Sequence, residues 1–309
     1  MAPTQKPTPT QNNSASCASS TLALIGCGKM GIAMLKGWLD MPRLSRLDVV
    51  EPFPSPDLVA LEQSAQGRVR VFANVENLYA ANAAPDIIVL AVKPQMMADV
   101  VAQITGAAAV LAKAGAEAAK PPLVISIAAG KTIAFFEALF PPATPIIRVM
   151  PNTPAAIGKG VSVLCGNRAV TQDMGAFAAA LLGVLGHVHA VSDESLMDAV
   201  TALSGSGPAY IFYLTEVLEQ AGKAIGLPPE LARDLARQTV VGSAALMESA
   251  QNQTQPQTLP QTPADLRIAV TSPNGTTQAA LEVLMAKDGI YPVFEAALNA
   301  AARRSRELS

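Results

Sequence analysis

Apolar residues follow two regimes along this 309-residue chain. Up to about Val191 they come in short runs bounded by glycine, proline or acids. The runs at 21–26 (TLALIG), 47–50, 68–72, 86–92 (DIIVLAV), 123–128 (LVISIA) and 145–150 (PIIRVM) have the length and branched-residue content of buried strands. Between them lie helical stretches: one through Leu35, Trp38 and Leu39 that closes at Pro42, one at 57–66, one at 74–83, an alanine-rich one, and one opening near Thr132. Alternation of strand and helix predicts an α/β fold with a doubly wound parallel sheet. Beyond Val191 the pattern is helical throughout, punctuated by glycine and without strands. A long apolar helix is expected from about Pro208 to Ile225. A second opens at Pro228-Pro229-Glu230, where proline suits the first turn and an acid suits the positive end of the helix dipole.

The first strand runs into GCGKMG, so Gly26, Gly28 and Gly31 form G-x-G-x-x-G at a strand-to-helix turn. The first glycine permits the tight turn, the second lets a pyrophosphate approach the backbone, and the third lets helix and strand pack closely. The helix start offers unpaired N–H groups and partial positive charge to phosphates. Glu51 ends the second strand, 20 residues after Gly31, where a carboxylate meets the adenosine ribose hydroxyls and repels a 2′-phosphate; this favours NADH over NADPH. Lys93 ends the 86–92 strand in AVKP, and Pro94 forces it to be extended. At a carboxyl edge it is expected to position cofactor through its backbone, with a catalytic acid or a solvated charge as the other readings. Asn74, after the third strand, is expected at the adenine half. The domain plan is therefore a disordered tail at 1–20, a Rossmann dinucleotide-binding domain at 21–191, and an all-helical domain at 192–309, to which only the resemblance given below assigns dimerisation and substrate binding.

Composition narrows the rest. The net charge of −2, the few aromatics and the lack of a basic stripe argue against nucleic acid. The C-terminal Arg303, Arg304 and Arg306 are partly balanced by Glu307. No apolar run approaches the ~20 residues that span a bilayer, and the polar first 20 residues lack a signal-peptide core. Cys17, Cys27 and Cys165 are widely spaced, as free thiols of a cytoplasmic protein would be. His187 and His189 could share one face of a strand, but no carboxylate or cysteine pattern accompanies them, and no metal site is expected. Segment 251–263 reads as a mobile Gln/Thr/Pro-rich loop, and AKAGAEAAKPP as a weaker insertion.

Two segments of the helical half are dense in glycine and hydroxyls. LSGSGPAY places Ser204, Gly205, Ser206 and Gly207 before a proline-started helix; LRIAVTSPNGTTQAALEVL places Thr271, Ser272, Asn274, Gly275, Thr276 and Thr277 between two helices. Either can present hydroxyls and N–H groups to a carboxylate, and either can be ordinary capping. In order, LIGCGKMG, LAVKPQ, SIAAG, RVMPNTP, LSGSGPAY, VTSPNGTTQAALEVL and the RSREL tail resemble the pyrroline-5-carboxylate reductase family over residues 21–308. The pattern departs at Asn274, where a second glycine is commoner; asparagine tolerates the left-handed conformation better than most residues.

The resemblance implies reduction of 1-pyrroline-5-carboxylate to L-proline by NADPH or NADH, the last step of proline biosynthesis. It implies a homodimer, assembled into a larger homo-oligomer, with the active site at the dimer interface. Ser272, Asn274, Gly275, Thr276 and Thr277 would hold the substrate carboxylate, and Thr277, the catalytic candidate, would hydrogen-bond the ring nitrogen. Lys29, Met30, Ala91 and Pro94 would accompany the cofactor residues above, and Ala129, Gly130, Met150 and Asn152 would line the nicotinamide side. A cyclic imine is basic enough to be partly protonated in water, so its reduction needs no strong protein acid, whereas an alkoxide would. The alternatives are a β-hydroxyacid dehydrogenase, with Lys223 as its catalytic lysine, and an inactive dinucleotide-binding scaffold.

Overall fold

The structure, a computed structural model, describes residues 19–81, 84–113, 120–251 and 261–308. Most of the expected 1–20 tail and of the 251–263 loop, and the middle of the alanine-rich insertion, lie outside the described residues. The chain divides into two compact units: 1–149 with 155–192, and 150–154 with 193–309.

The first unit holds strands β1 (Ser20–Ile25), β2 (Leu44–Val50), β3 (Val69–Phe72), β4 (Ile87–Leu90), β5 (Leu123–Ser126), β6 (Ile146–Met150), β7 (Gly160–Gly166) and β8 (Gly186–Ala190) in one sheet of order β3-β2-β1-β4-β5-β6-β7-β8. The pairings of β1 with β2 and β4, β2 with β3, β4 with β5, β5 with β6 and β7 with β8 are parallel. Order reverses at β1 and β4, the switch point at which doubly wound sheets bind ligands. Side chains alternate across the sheet. Leu22, Leu24, Ile87, Val89, Ile125 and Val149 face one way, onto α1 (Lys29–Trp38), α2 (Pro56–Ser64) and α6 (Gln172–Gly183). Ala23, Ile25, Ile88, Leu90 and Val124 face the other, onto α3 (Val75–Ala80), α4 (Met97–Lys113) and α5 (Ile133–Glu137). Because both faces are covered, these strands read as unbroken apolar runs rather than alternating ones. Trp38 of α1 is buried, and its indole N–H donates to the Leu181 carbonyl of α6 at 2.8 Å.

Several expectations change. β1 starts at Ser20, inside the expected tail, where Ser20 pairs with Leu44. Beyond the strand at 145–150 the structure adds β7, α6 and β8. GHVHA forms β8 at the sheet edge, with both histidines exposed, so it carries no apolar run to betray it. The stretch 94–112 is long and apolar enough to cross a membrane by length and composition. Here it serves as the crossover from β4 to β5, and Met97, Val100, Val101 and Ile104 pack into the sheet's core.

The second unit is built from α7 (Met197–Val200), α8 (Gly207–Ala224), α9 (Pro229–Gln251), α10 (Pro263–Ala269), α11 (Thr276–Leu284) and α12 (Ile290–Leu308). The Ser305 hydroxyl of α12 donates to Asp198 of α7 at 2.6 Å, which ties the last helix to the first.

Candidate active site

At the β1–α1 turn the three glycines answer to different constraints. Gly26 has φ +87°, and a Cβ there would lie 2.9 Å from Val92 Cγ1 and 3.0 Å from the Ala91 carbonyl. Gly31 packs close to the Gly26 carbonyl, 3.1 Å from where a Cβ would be. Gly28 is unlike both. Its φ is −72°, which any residue adopts, and a Cβ there would meet nothing within 4 Å. Neither backbone nor packing demands glycine at 28; an approaching ligand would. Gly28 is also the N-cap of α1 and supplies no side-chain cap, so the first-turn N–H groups, where Lys29 and Met30 sit, face outward. This cradle fits a pyrophosphate.

Glu51 lies against the same turn. One carboxylate oxygen accepts from the Cys27 N–H at 2.9 Å and the other from the Phe53 N–H at 3.3 Å. Burial, and then the Glu51 charge, push the Cys27 thiol up to about 12. Because the strands run parallel, the other first-unit candidates gather along the same carboxyl edge. Ala91 follows β4, and exposed Lys93 is extended (φ −61°, ψ 143°) before a short turn of 3-10 helix opened by Pro94. Ala129 and Gly130 form the turn after β5, Gly130 at φ +71°. Asn74 has a structural duty, since its side-chain oxygen caps α3 by accepting from Asn77 N at 2.8 Å.

Met150 and Asn152 group with the second unit. The Asn152 amide donates to the Ser204 carbonyl and hydroxyl, each at 3.4 Å. A Cβ on Gly205 would lie 2.3 Å from Met150 Cε. The segment 150–154 is thus seated on the Ser204–Gly205 backbone. That backbone is itself helical, not the lead-in to a helix that the sequence suggests. Residues 201–205 form one π-helical turn running straight into α8, with Ser206 N bonded to the Thr201 carbonyl and Tyr210 Oη to the Ala202 carbonyl. Helical conformation at Ser206 continues the chain, so LSGSG opens no fresh helix N-terminus.

The 271–277 segment does open one. The Thr271 hydroxyl donates to the Arg267 carbonyl, and Gly275 N donates to the Ser272 carbonyl at 3.1 Å. Asn274 takes the left-handed conformation at φ +56°. Gly275 caps α11 and again provides no side-chain cap, while a Cβ there would lie 2.5 Å from Ser272 Oγ. Thr276 and Thr277 are the first two residues of α11, Thr277 half-buried. Elsewhere α2, α3, α5, α6 and α10 start on Ser55, Asn74, Thr132, Thr171 and Thr262, whose side chains accept a first-turn N–H. α1 and α11 start on glycine with their donors free, and they coincide with the two candidate sites. One link escaped the sequence reading: the Gln278 side chain accepts from Asn274 N at 2.7 Å, and the i, i+4 spacing was its only signal.

Other candidates fall away. Lys223 is held in an i, i+4 ion pair with Glu219 on α8, which lowers the Glu219 carboxyl, and so is a surface charge rather than a catalytic lysine. His187 and His189 are exposed on β8, and among the described residues no three His, Cys, Asp or Glu side chains cluster.

A doubly wound sheet with a glycine-lined phosphate cradle and a carboxylate beside it defines the class: a nicotinamide dinucleotide-dependent oxidoreductase with an appended helical unit. Residues 21–130 match the family model described as NADP oxidoreductase, coenzyme F420-dependent, and residues 194–308 match pyrroline-5-carboxylate reductase dimerisation. The chain is 38% identical over 300 residues to pyrroline-5-carboxylate reductase of Mycobacterium tuberculosis, covering 93% of this chain and 96% of the relative. It is 37% identical over 294 residues to that of Pseudomonas aeruginosa, with the same coverage. A solved pyrroline-5-carboxylate reductase from Coxiella burnetii superimposes with TM-score 0.79 at 31% identity, over 94% of this chain and 99% of that one. The Plasmodium falciparum enzyme, solved with NADP bound, does so with TM-score 0.70 at 27% identity, over 94% and 98%. The chain belongs to the pyrroline-5-carboxylate reductase family.

Proposed function

We propose that the family's reaction, reduction of 1-pyrroline-5-carboxylate to L-proline by a reduced nicotinamide dinucleotide, is carried out here by the two glycine-capped helix starts. The dinucleotide's pyrophosphate lies on Gly26, Gly28, Lys29, Met30 and Gly31, with Asn74, Ala91, Lys93, Pro94, Ala129 and Gly130 along the same edge and Met150 and Asn152 on the nicotinamide side. The substrate carboxylate is held by Ser272, Asn274, Gly275, Thr276 and Thr277. The observation that carries this reading is the start of α11: a left-handed Asn274 followed by a cap without a side chain, which leaves N–H donors at a positive helix end.

The dinucleotide supplies the hydride. The chain's own task is to place the imine. The α11 donors fix its carboxylate, and the Thr277 hydroxyl hydrogen-bonds the ring nitrogen, which carries its own proton into the reaction. Catalysis comes mainly from orienting the two reactants. NADH is the preferred cofactor. Glu51 places a negative charge where a 2′-phosphate would sit, and the following residues, Pro52-Phe53-Pro54-Ser55, contain no Lys or Arg to offset it. The working unit is a homodimer, assembled into a larger homo-oligomer, free of nucleic acid and membrane. Cys27, a buried thiol outside any disulfide, favours the cytoplasm.

The test is cofactor oxidation by purified protein given 1-pyrroline-5-carboxylate, alongside a 3-hydroxy acid with oxidised cofactor. Turnover is expected only with the imine; inertness towards it would leave the scaffold reading. Thr277→Ala should lower kcat on the imine by about tenfold to a hundredfold with NADH affinity unchanged.

A further inference from the structure

We infer that Gln278 is a positioning residue for the carboxylate site, compensating for asparagine at 274. This rests on the proposed placement of the substrate at 272–277. Gln278 is the third residue of α11, the place from which a capping-box side chain reaches back to satisfy a backbone N–H. Here it reaches one residue further, and its Oε1 accepts from Asn274 N at 2.7 Å. The amide is aimed by a second bond, from its Nε2 to Glu282 Oε1 at 3.0 Å. A carboxylate can only accept, so Glu282 fixes which end of the Gln278 amide faces Asn274.

The effect is to sort the donors at this helix start. Asn274 N is taken by Gln278, and Gly275 N by the Ser272 carbonyl. The next N–H groups, of Thr276 and Thr277, begin α11 behind a cap with no side chain, and remain for a ligand. Meanwhile Asn274 stays at φ +56°, a conformation that costs a side-chain-bearing residue more than glycine. Without the Gln278 anchor the turn would relax, and the two donors would lose their common aim. A neutral amide also does this without adding negative charge where a substrate carboxylate must bind.

The experiment compares Gln278→Met, which keeps the length but loses the acceptor, in the wild-type and Asn274→Gly backgrounds. In wild type the imine KM should rise about tenfold, with kcat and the NADH KM within about twofold. With glycine at 274 the turn needs no anchor, and the same substitution should raise KM by less than about twofold over its own parent. Gln278→Glu, which still accepts from Asn274 N but faces Glu282 and the substrate with like charge, should lie between, with a KM penalty that shrinks at high salt. An unchanged imine KM in Gln278→Met, or an equal rise in both backgrounds, would overturn the inference. Should Gln278→Met fail to fold, a KM for Gln278→Glu that equals wild type at low salt overturns it too. Full activity of Thr277→Ala would instead sink the placement of the site, whatever Gln278 does.

Discussion

The two units bury different things. The first seals Trp38, Phe136 and rows of Leu, Ile and Val on both faces of a sheet. Among the described residues of the second unit's helices, the buried apolar side chains are Met197 and four alanines, 202, 232, 236 and 250, while Phe212, Tyr213, Leu218, Ile268, Val283 and Tyr291 stand exposed. No residue of the 18-residue α8 is buried. A sheet covered by helices completes its own core. A set of helices with alanine inside and large apolar groups outside resembles one half of an obligate interface. Composition alone, half hydrophobic, does not tell these two uses apart: the second unit leaves large apolar side chains outside a small core, which fits its match to a dimerisation domain.

That contrast can be broken in four ways. The largest effect is expected from placing charge on the exposed apolar face of α8. Phe212→Glu with Leu218→Glu should yield monomers by sedimentation and cut imine reduction at least about a hundredfold, with NADH binding retained. If the double variant stays dimeric and active, that face is not the interface. Next come the glycines of the first unit. Gly26→Ala meets Val92 and Ala91 in a left-handed backbone and should cost about 2 kcal/mol or more of stability. Gly28→Ala meets no protein atom, so its Tm should stay within about 2 °C while NADH affinity falls roughly tenfold. Equal stability losses in both would undo the distinction drawn between them. A smaller change is expected from Glu51→Gln, which should improve NADPH use relative to NADH by about tenfold in kcat/KM; a wild type that already prefers NADPH would refute the reading of Glu51. The smallest concerns Cys27. Its folded-state pKa is raised to about 12 from 9.0, so the native thiol stays protonated while the unfolded one ionises. Its contribution to stability is therefore whole below pH 9 and is lost as pH rises from 9 towards 12. Cys27→Ala should flatten the alkaline limb of a Tm–pH curve, and a curve of unchanged slope would contradict the shift.

The strands at β1, β2, β4, β5 and β6 were legible because burial on both faces writes itself as runs rich in Leu, Ile and Val, interrupted by buried Asp48 and Arg148 within the expected stretches of β2 and β6. β8 was not, because an edge strand with His187 and His189 exposed carries no such signature. The doubly wound α/β fold with a helical second unit followed from the change of pattern near Val191, and family membership from motifs in order. What local sequence missed is non-local. LSGSG reads as the lead-in to a proline-started helix because glycine and serine break helices in isolation, yet a π turn seated against Met150 and Asn152 runs through it. Asn74 reads as a ligand contact, and its additional duty as the cap of α3 shows only in the structure. Gln278 was hidden because its partner is one backbone N–H, visible only once Asn274 is seen to be left-handed.

Trp38, with its N–H on Leu181, has an optical consequence. It is the chain's single tryptophan and lies within the first unit's core, so the protein's indole emission comes from that unit alone. Emission should be blue-shifted, as befits a ring shielded from water. A red shift would time the opening of the sheet's α1–α6 layer, without any signal from the second unit's helices. Because reduced nicotinamide absorbs where indole emits, quenching of this one lamp by added NADH gives a titration of the cofactor site, without substrate and without a label.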